Sequence, residues 1–315
     1  MRNVTLGLII GAALLVSGSL SLKATENKMK LWYDKPADEW MKSLPLGNGR
    51  LGVMIYGGIE TETLALNEST MWSGEYDEHQ QRPFGREKLN QVRKLFFENN
   101  LSEGNHVAGN MMAGSPHSVG THLPIGDLKI NFSYPQGEIS DYRHELDLHT
   151  AINTVSYKVG NTEYIRQCIA SNPDDVVAMH IKASRPKAIT IELELKLLRQ
   201  ANVVASGNQL IYTGNAEFEK HGKGGVHFEG RIAVQIKGGT IKAEGKKLYI
   251  EKATEVTLLS DVRTNFKNNT FSGYNYKIKC EKTIELASKK DFKTLKKKHI
   301  EDYSPLFSRV GLSFE

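Results

Sequence analysis

The chain has 315 residues, with 41 Lys and Arg against 36 Asp and Glu, a formal net charge of +5 and 39% hydrophobic residues. A chain of that length can bury one large core or two modest ones. The near-even charge, without a basic stripe interleaved with aromatics, excludes nucleic acid as an expected partner.

Residues 1–24 read as a secretory signal peptide. Arg2 gives a positive start, Val4 to Val16 form an apolar run, and small residues near Ala24 offer a cleavage site. The run falls short of the roughly 20 apolar residues that a membrane span needs. No cysteine follows it, so no lipid anchor is expected. The mature chain is therefore predicted to be exported, periplasmic or extracellular, with no membrane association after cleavage.

The stretch SLPLGNGRLGVMIYGG, residues 43–58, carries Gly47, Gly49 and Gly52 in the spacing G-x-G-x-x-G. A dinucleotide fingerprint needs a strand into the glycines and a helix out of them. Pro45 breaks the approach, and Val53, Ile55 and Tyr56 followed by Gly57 and Gly58 read as a short strand ending in a turn. A tight connection between strands is predicted instead.

Residues 86–112 place Leu89, Val92, Leu95 and Phe96 on one helical face, which predicts one helical excursion between strands. The following AGSPHSVGTHLP is loop. From about residue 124 to 285 the period is two. Ile191, Leu193, Leu195 and Leu197 alternate with Glu192, Glu194 and Lys196. Phe228, Ile232, Val234 and Ile236 share one parity, while His227, Glu229, Arg231 and Gln235 take the other. Gly160-Asn161 reads as the turn of a hairpin. Many half-buried strands without alternating helices predict a mainly β fold, a large antiparallel β-sandwich. Cys168 and Cys280 fall in separate strand-like segments and could pair in an oxidising compartment. In SKKDFKTLKKKH, Phe292 and Leu295 keep helical spacing, so the lysines read as a solvated helix face. That helix is expected to end or bend at Ser304-Pro305. The predicted organisation is a signal peptide at 1–24, a sandwich at 25–285, and a linker helix leading toward another domain at 286–315. No internal repeat of 20 to 50 residues is present.

Four separated motifs carry a resemblance: LPLGNGRLGVMIYGGIETETLALNESTMWSG, HLPIGDLKINF, YRHELDLHTAINTVSYKV and HIEDYSPLFSRVGLSF. In order and spacing they resemble the N-terminal region of glycoside hydrolase family 95, the exported α-L-fucosidases, over about residues 30–315. The resemblance implies a super-sandwich domain, a linker helix, and then an (α/α)6 barrel expected to lie beyond this sequence. It also implies release of terminal α-linked L-fucose from oligosaccharides with inversion and without cofactor. Inversion needs a general acid and a water-activating group about 6.5 to 9.5 Å apart. The family draws these from its barrel, so no catalytic residue is expected here. The implied partners are a fucosylated glycan, through the intact enzyme, and the barrel in cis or in trans. A stand-alone carbohydrate-binding sandwich and one half of a split fucosidase are the alternatives.

Seven residues are candidates for one wall of a sugar cleft. Asn48 and Arg50 either point across a domain interface or, for Arg50, form a partly buried guanidinium on carbonyls or a carboxylate. Asn67, Glu68, Thr70 and Trp72 offer an amide, a carboxylate, a hydroxyl and an indole, the groups that bind sugar hydroxyls and stack on sugar faces. Equally, Leu64, Leu66 and Trp72 read as core, with Asn67 and Glu68 satisfying turn amides. His122 lies in a Gly-rich loop within reach of such a cleft. His106, His117 and His122 form no compact ligand motif, and no metal is expected. Asp127 is expected to cap a turn before its strand. Glu145 and Asp147 share one side of a strand and read as a solvated edge.

Overall fold

The computed structural model describes residues 29–74, 85–112, 120–221, 224–266 and 275–311. The predicted signal peptide and His117 lie outside the described residues. Among the described residues, sixteen strands form two sheets. The first half of the chain gives β1 (Lys30–Tyr33), β2 (Leu44–Gly47), β3 (Leu51–Ile55), β4 (Thr61–Glu68), β5 (Gly126–Phe132), β6 (Ile139–Asp147), β7 (Ile152–Val159) and β8 (Thr162–Ser171). The second half gives β9 (Val176–Ala183), β10 (Ile189–Leu197), β11 (Ala201–Ser206), β12 (Gln209–Asn215), β13 (His227–Lys237), β14 (Thr240–Glu244), β15 (Lys247–Ala253) and β16 (Glu255–Thr264). The helices are α1 (Arg86–Phe97), α2 (Leu101–Met112), α3 (Tyr276–Ser288) and α4 (Phe292–Phe307).

The nine-stranded sheet runs β1-β6-β7-β8-β9-β16-β13-β12-β11, and the seven-stranded sheet runs β14-β15-β10-β5-β4-β3-β2. Neighbouring strands pair antiparallel, as β6 with β7, β13 with β16 and β4 with β5 do. The fold is therefore mainly β and antiparallel, as the period-two pattern predicts. Between the sheets, Ile55, Leu64, Leu128, Ile130 and Leu193 from the smaller sheet meet Tyr164, Cys168, Met179, Ile181, Leu210 and Ile232 from the larger. At β10 the alternation is realised as written: Ile191 and Leu193 are buried, while Glu192 and Glu194 face out and bind Lys247. The β7–β8 hairpin turns at Gly160-Asn161, with Gly160 at φ +56° as a primed turn requires of its first residue.

Half-burial does not extend to the middle of the larger sheet. A second core lies on its outer face, where Ile169, Val176, Ala178, Ala233 and Leu259 meet Ile284 and Ala287 of α3 and Phe292 and Leu295 of α4. The apolar start of β9, Val176 to Met179, and the burial of nearly every residue of β16 fit strands covered on both sides. Beneath α3, the second parity of β13 is covered too: Glu229 is buried and pairs with Arg231, which also reaches Glu281. Asn275 caps α3 by accepting from Ile278 N, and Asp291 caps α4 by accepting from Thr294 N.

Several expectations change. Residues 86–112 form two helices, because Asn99 turns the chain at φ +59° between α1 and α2. A Cβ on Gly104 of α2 would sit 3.3 Å from the Phe96 ring of α1, so the glycine permits the close crossing. Helix α4 continues through Pro305 to Phe307. Its last turns are held by Tyr303 Oη donating to Leu148 O at 2.9 Å and Ser304 Oγ donating to His149 O at 2.8 Å. Among the described residues no helix is long and apolar enough to cross a membrane.

The two cysteines are free. Cys168 faces the inter-sheet core, whereas Cys280 sits on α3, a helix and not a strand, and donates to Asp261 O. The larger sheet stands between them. Burial pushes both thiols up, so neither is reactive at neutral pH. A thiol reagent is expected to label neither cysteine in the native protein and both after unfolding in urea; fewer than two equivalents would reveal a disulfide.

Two polar groups in the inter-sheet core are more costly. Glu62 and Arg166 are fully buried and paired at 3.3 Å. Glu62 Oε1 also accepts from Gly57 N and Thr63 N, and the Arg166 guanidinium lies over the Phe132 and Tyr157 rings at 5.1 and 5.2 Å. Nearby, His144 is buried and accepts at Nε2 from the Asn153 amide. Burial, reinforced by Arg166, pushes its pKa down to about 4. A folded-state value below the unfolded value of about 6.5 means that the unfolded chain takes up the proton first. Stability is then fully present above about pH 6.5 and is lost as pH falls toward 4. Between pH 7 and 5 this site alone is expected to remove about 2 kcal/mol of unfolding free energy in urea titrations. His144→Gln should show a shallower loss over the same interval.

Candidate functional site

Four of the seven candidate residues meet at one end of the sandwich. Strands β2 and β3 form a hairpin across Asn48, Gly49 and Arg50, with Gly49 at φ +91°. Asn48 Oδ1 accepts from Arg50 N and Leu51 N, an Asx turn that fixes the loop. Strand, turn and strand leave no helix N-terminus for a pyrophosphate, which removes the dinucleotide reading. Pro45 sits on β2, the edge strand of its sheet, where a missing N–H is tolerated.

From this hairpin Arg50 crosses to the larger sheet. Its Nη2 lies 2.8 Å from Asp175 Oδ1 and 2.6 Å from Asp261 Oδ1, its Nη1 donates to Val262 O at 2.5 Å, and Nη1 stands 3.5 Å from Glu68 Oε1. Asp261 and Asp175 are shared with Arg263, at 2.8 and 2.6 Å. Arg263 Nη2 then donates to Thr283 Oγ1 of α3 at 3.2 Å. Glu68 Oε2 accepts from both the backbone N and the hydroxyl of Thr70 at 2.7 Å, and Thr70 Oγ1 is 2.5 Å from Thr264 Oγ1. Asn48 Nδ2 donates to Ser171 O at 3.0 Å. Burial raises Glu68 above the ordinary carboxylate value, against the Thr70 hydrogen bonds and Arg50. Burial also pushes on Asp175, but Arg50 and Arg263 outweigh it and hold that carboxyl below its ordinary value. The arrangement is a network of carboxylates held by two guanidiniums, and its chemistry is cohesion between the sheets.

Asn67 faces the opposite way. It lies on the outer face of the seven-stranded sheet, in a concavity of about 540 Å³ lined by Trp40, Pro45, Met54, His122, Asp127 and Leu198, among others. Trp72 and His122 form an isolated β-bridge outside the named strands, with rings edge to face at 5.8 Å. The Trp72 indole N–H donates to Ser69 O at 3.2 Å, and its ring is about half exposed. His122 Nε2 lies 3.0 Å from Glu68 O, which can only accept, so Nε2 carries the proton.

Other expected roles shift. Asp127 lies within β5, opposite Ala65 and Lys196, and pairs with Lys129 at 3.0 Å, so it caps no turn. Glu145 is one strand in from the edge, covered by β1, and pairs with Lys30 and Arg143. Asp147 Oδ1 accepts from His149 N and Thr150 N, closing the β6–β7 turn. His106 bonds to Asn110 on the same helix, far from His122 in the chain. Among the described residues no three His, Cys, Asp or Glu side chains are grouped as a metal site requires.

The sequence reading did not include Asp175, Asp261, Arg263 or Trp40. Two of these left a local signal: Asp261 and Arg263 are opposite charges two apart in the apolar EVTLLSDVRT, hence on one face of β16. Asp175 gave none, since only its left-handed backbone, φ +55° in the β8–β9 turn, presents it to both arginines.

Comparison with known proteins places this architecture. The family model described as "Glycosyl hydrolase family 65, N-terminal domain" matches residues 31–269, well over half of the chain. The chain belongs to that family. It is 32% identical to "Alpha-L-fucosidase 2" of Arabidopsis thaliana over 90% of this chain and 36% of that protein. It is 28% identical to "Probable alpha-fucosidase A" of Aspergillus niger over 90% of this chain and 37% of that one. The match thus spans little more than a third of these relatives. The solved structure "Putative kojibiose phosphorylase from human microbiome" superposes with a TM-score of 0.52 at 13% identity, covering 89% of this chain and 37% of that chain, a likeness of fold. The family member described here is an N-terminal domain of fucosidase-like glycoside hydrolase type.

In this domain the Arg50 network predicts a large and asymmetric response to mutation. Arg50→Met leaves buried Glu68 without its cation and Asp261 with Arg263 alone, and is expected to cost about 3 to 5 kcal/mol in urea unfolding. Arg50→Lys, which keeps the charge without the planar fork, should lose less. Equal losses in the two variants would show that the charge contributes nothing.

Proposed function

We propose that the chain is the non-catalytic N-terminal domain of an exported α-L-fucosidase of the family 95 type, in which a further barrel domain supplies the proton donor and activates the water. The enzyme would release terminal α-linked L-fucose from oligosaccharides by inverting hydrolysis. The two relatives named as fucosidases support the substrate, and their greater length supports a further catalytic domain. The observation that carries the non-catalytic reading is the state of the acids at the candidate site. Glu68, Asp175 and Asp261 are all held by Arg50, and two of them by Arg263 as well. An inverting pair must instead flank an open gap that admits water and a glycosidic bond. Export rests on the leader pattern of residues 1–24.

Expressed with its own leader in a Gram-negative host, the chain is expected in the periplasm. Purified from there, it is expected to release no fucose from 2′-fucosyllactose above the rate without protein. Retention in the cytoplasm overturns the export reading, and fucose release by the purified chain overturns the non-catalytic one.

A further inference from the structure

Sheets present long side chains on their open faces, yet β3, β4 and β5 present a hollow. Gly52 and Ala65 form its floor, and Gly126 closes one side at φ +138°, where a Cβ would meet Lys196 O at 2.4 Å. Trp40 stands at the margin on a 3-10 turn, about half exposed, with its carbonyl held by Ser43 Oγ at 2.5 Å. Pro45 and Leu198 complete apolar walls around a volume of about 540 Å³. That lies within the roughly 300 to 1,000 Å³ of small-molecule sites, with apolar walls and few polar groups.

The polar groups define the ligand. Asn67 Oδ1 is engaged by Glu68 N, leaving its Nδ2 as a donor with no partner among the described residues. His122 Nε2 is engaged by Glu68 O, leaving Nδ1 as an acceptor. Asp127 Oδ2 is engaged by Lys129, leaving Oδ1 as a second acceptor. A donor and two acceptors around an apolar hollow suit hydroxyls, each of which donates and accepts. The Trp40 indole suits the C–H face of a saturated ring. An anion would meet the Asp127 carboxylate, and a cation would meet a carboxylate already paired with Lys129.

We propose that this concavity binds one neutral pyranose ring of a glycan, with Trp40 as the stacking wall and Asn67, His122 and Asp127 as the hydroxyl partners. The ligand class follows from the lining alone, so the site can hold even if the fucosidase reading fails. Fucose release reads hydrolysis, whereas binding here reads occupancy, and the two failures are therefore separable.

The test is amide and indole chemical-shift mapping on the wild-type chain, titrated separately with 2′-fucosyllactose, methyl β-galactoside, galacturonate and glucosamine hydrochloride. At least one neutral probe is expected to shift the Trp40 indole and Asn67 amide signals, with a dissociation constant on the order of 1 mM. Trp40→Ala should weaken that binding about 3- to 10-fold, from the stabilisation of a single aromatic contact. Trp32→Ala, on the edge of the other sheet under Arg143, should leave it unchanged. Absence of shifts with both neutral probes, shifts with the charged sugars only, or full-strength binding by Trp40→Ala would overturn the proposal. The wild-type map decides the matter even if a variant fails to fold.

Discussion

Two carboxylates on the inward row of β4 set the terms for the rest of the sandwich. Glu62 and Glu68 share that row with Leu64 and Leu66, so they lie between the sheets at opposite ends of one strand. An ionised carboxylate in that position is tolerated only if a cation comes to it. Arg166 of β8 reaches Glu62 from the facing sheet. Arg50 reaches Glu68 from the neighbouring hairpin and continues to Asp175 and Asp261. A buried pair of this kind adds little net stability compared with apolar packing, but its geometric demands are strict. It fixes which strand end stands opposite which, something that a row of leucines would leave looser.

The same network extends to the helical layer. Arg263 carries it from Asp261 to Thr283, and Cys280 bonds to the Asp261 carbonyl, so α3 is seated on the charged end of β16 as well as on its apolar middle. With α4 beside it, this covers the middle of the outer face of the nine-stranded sheet. The outer face of the seven-stranded sheet has no such cover among the described residues, and the concavity beside Trp40 lies there.

Local order was legible in the sequence, and distant partnership was not. The alternation in β10, the Gly160-Asn161 turn and the glycine hairpin around Gly49 depend on residues a few positions apart, and each was readable. Arg50 and its partners at 175 and 261 are joined only by the fold. The candidate residues around Asn67 and Glu68 show a further reason. Neighbours on a strand point to opposite faces, so a cluster that looks continuous in LNESTMWSG separates into a buried network and an open pocket. Parity would have revealed this, since Glu68 falls on the beat of Leu64 and Leu66 while Asn67 falls off it. The break at Asn99 and the passage of α4 through Pro305 turn on single backbone conformations and on anchoring by distant carbonyls, which helical periodicity does not register. Burial of β9 on both faces was hinted at by its apolar start, VVAM, whereas β16 mixes apolar with charged and hydroxyl residues, and only the helices explain its burial.

The helical excursion between β4 and β5 leaves and re-enters the sheet at adjacent strands, since Leu66 is paired with Gly126. Its base is sealed by Leu123 N donating to Met71 O at 2.8 Å, Ser73 N donating to Thr121 O at 3.0 Å, and Gly120, where a Cβ would strike Ser73 O at 2.2 Å. The pairing of β4 with β5 is complete below that seal and takes no residue from α1 or α2. Substitutions on those two helices therefore leave the register of the sheet without a lost hydrogen bond.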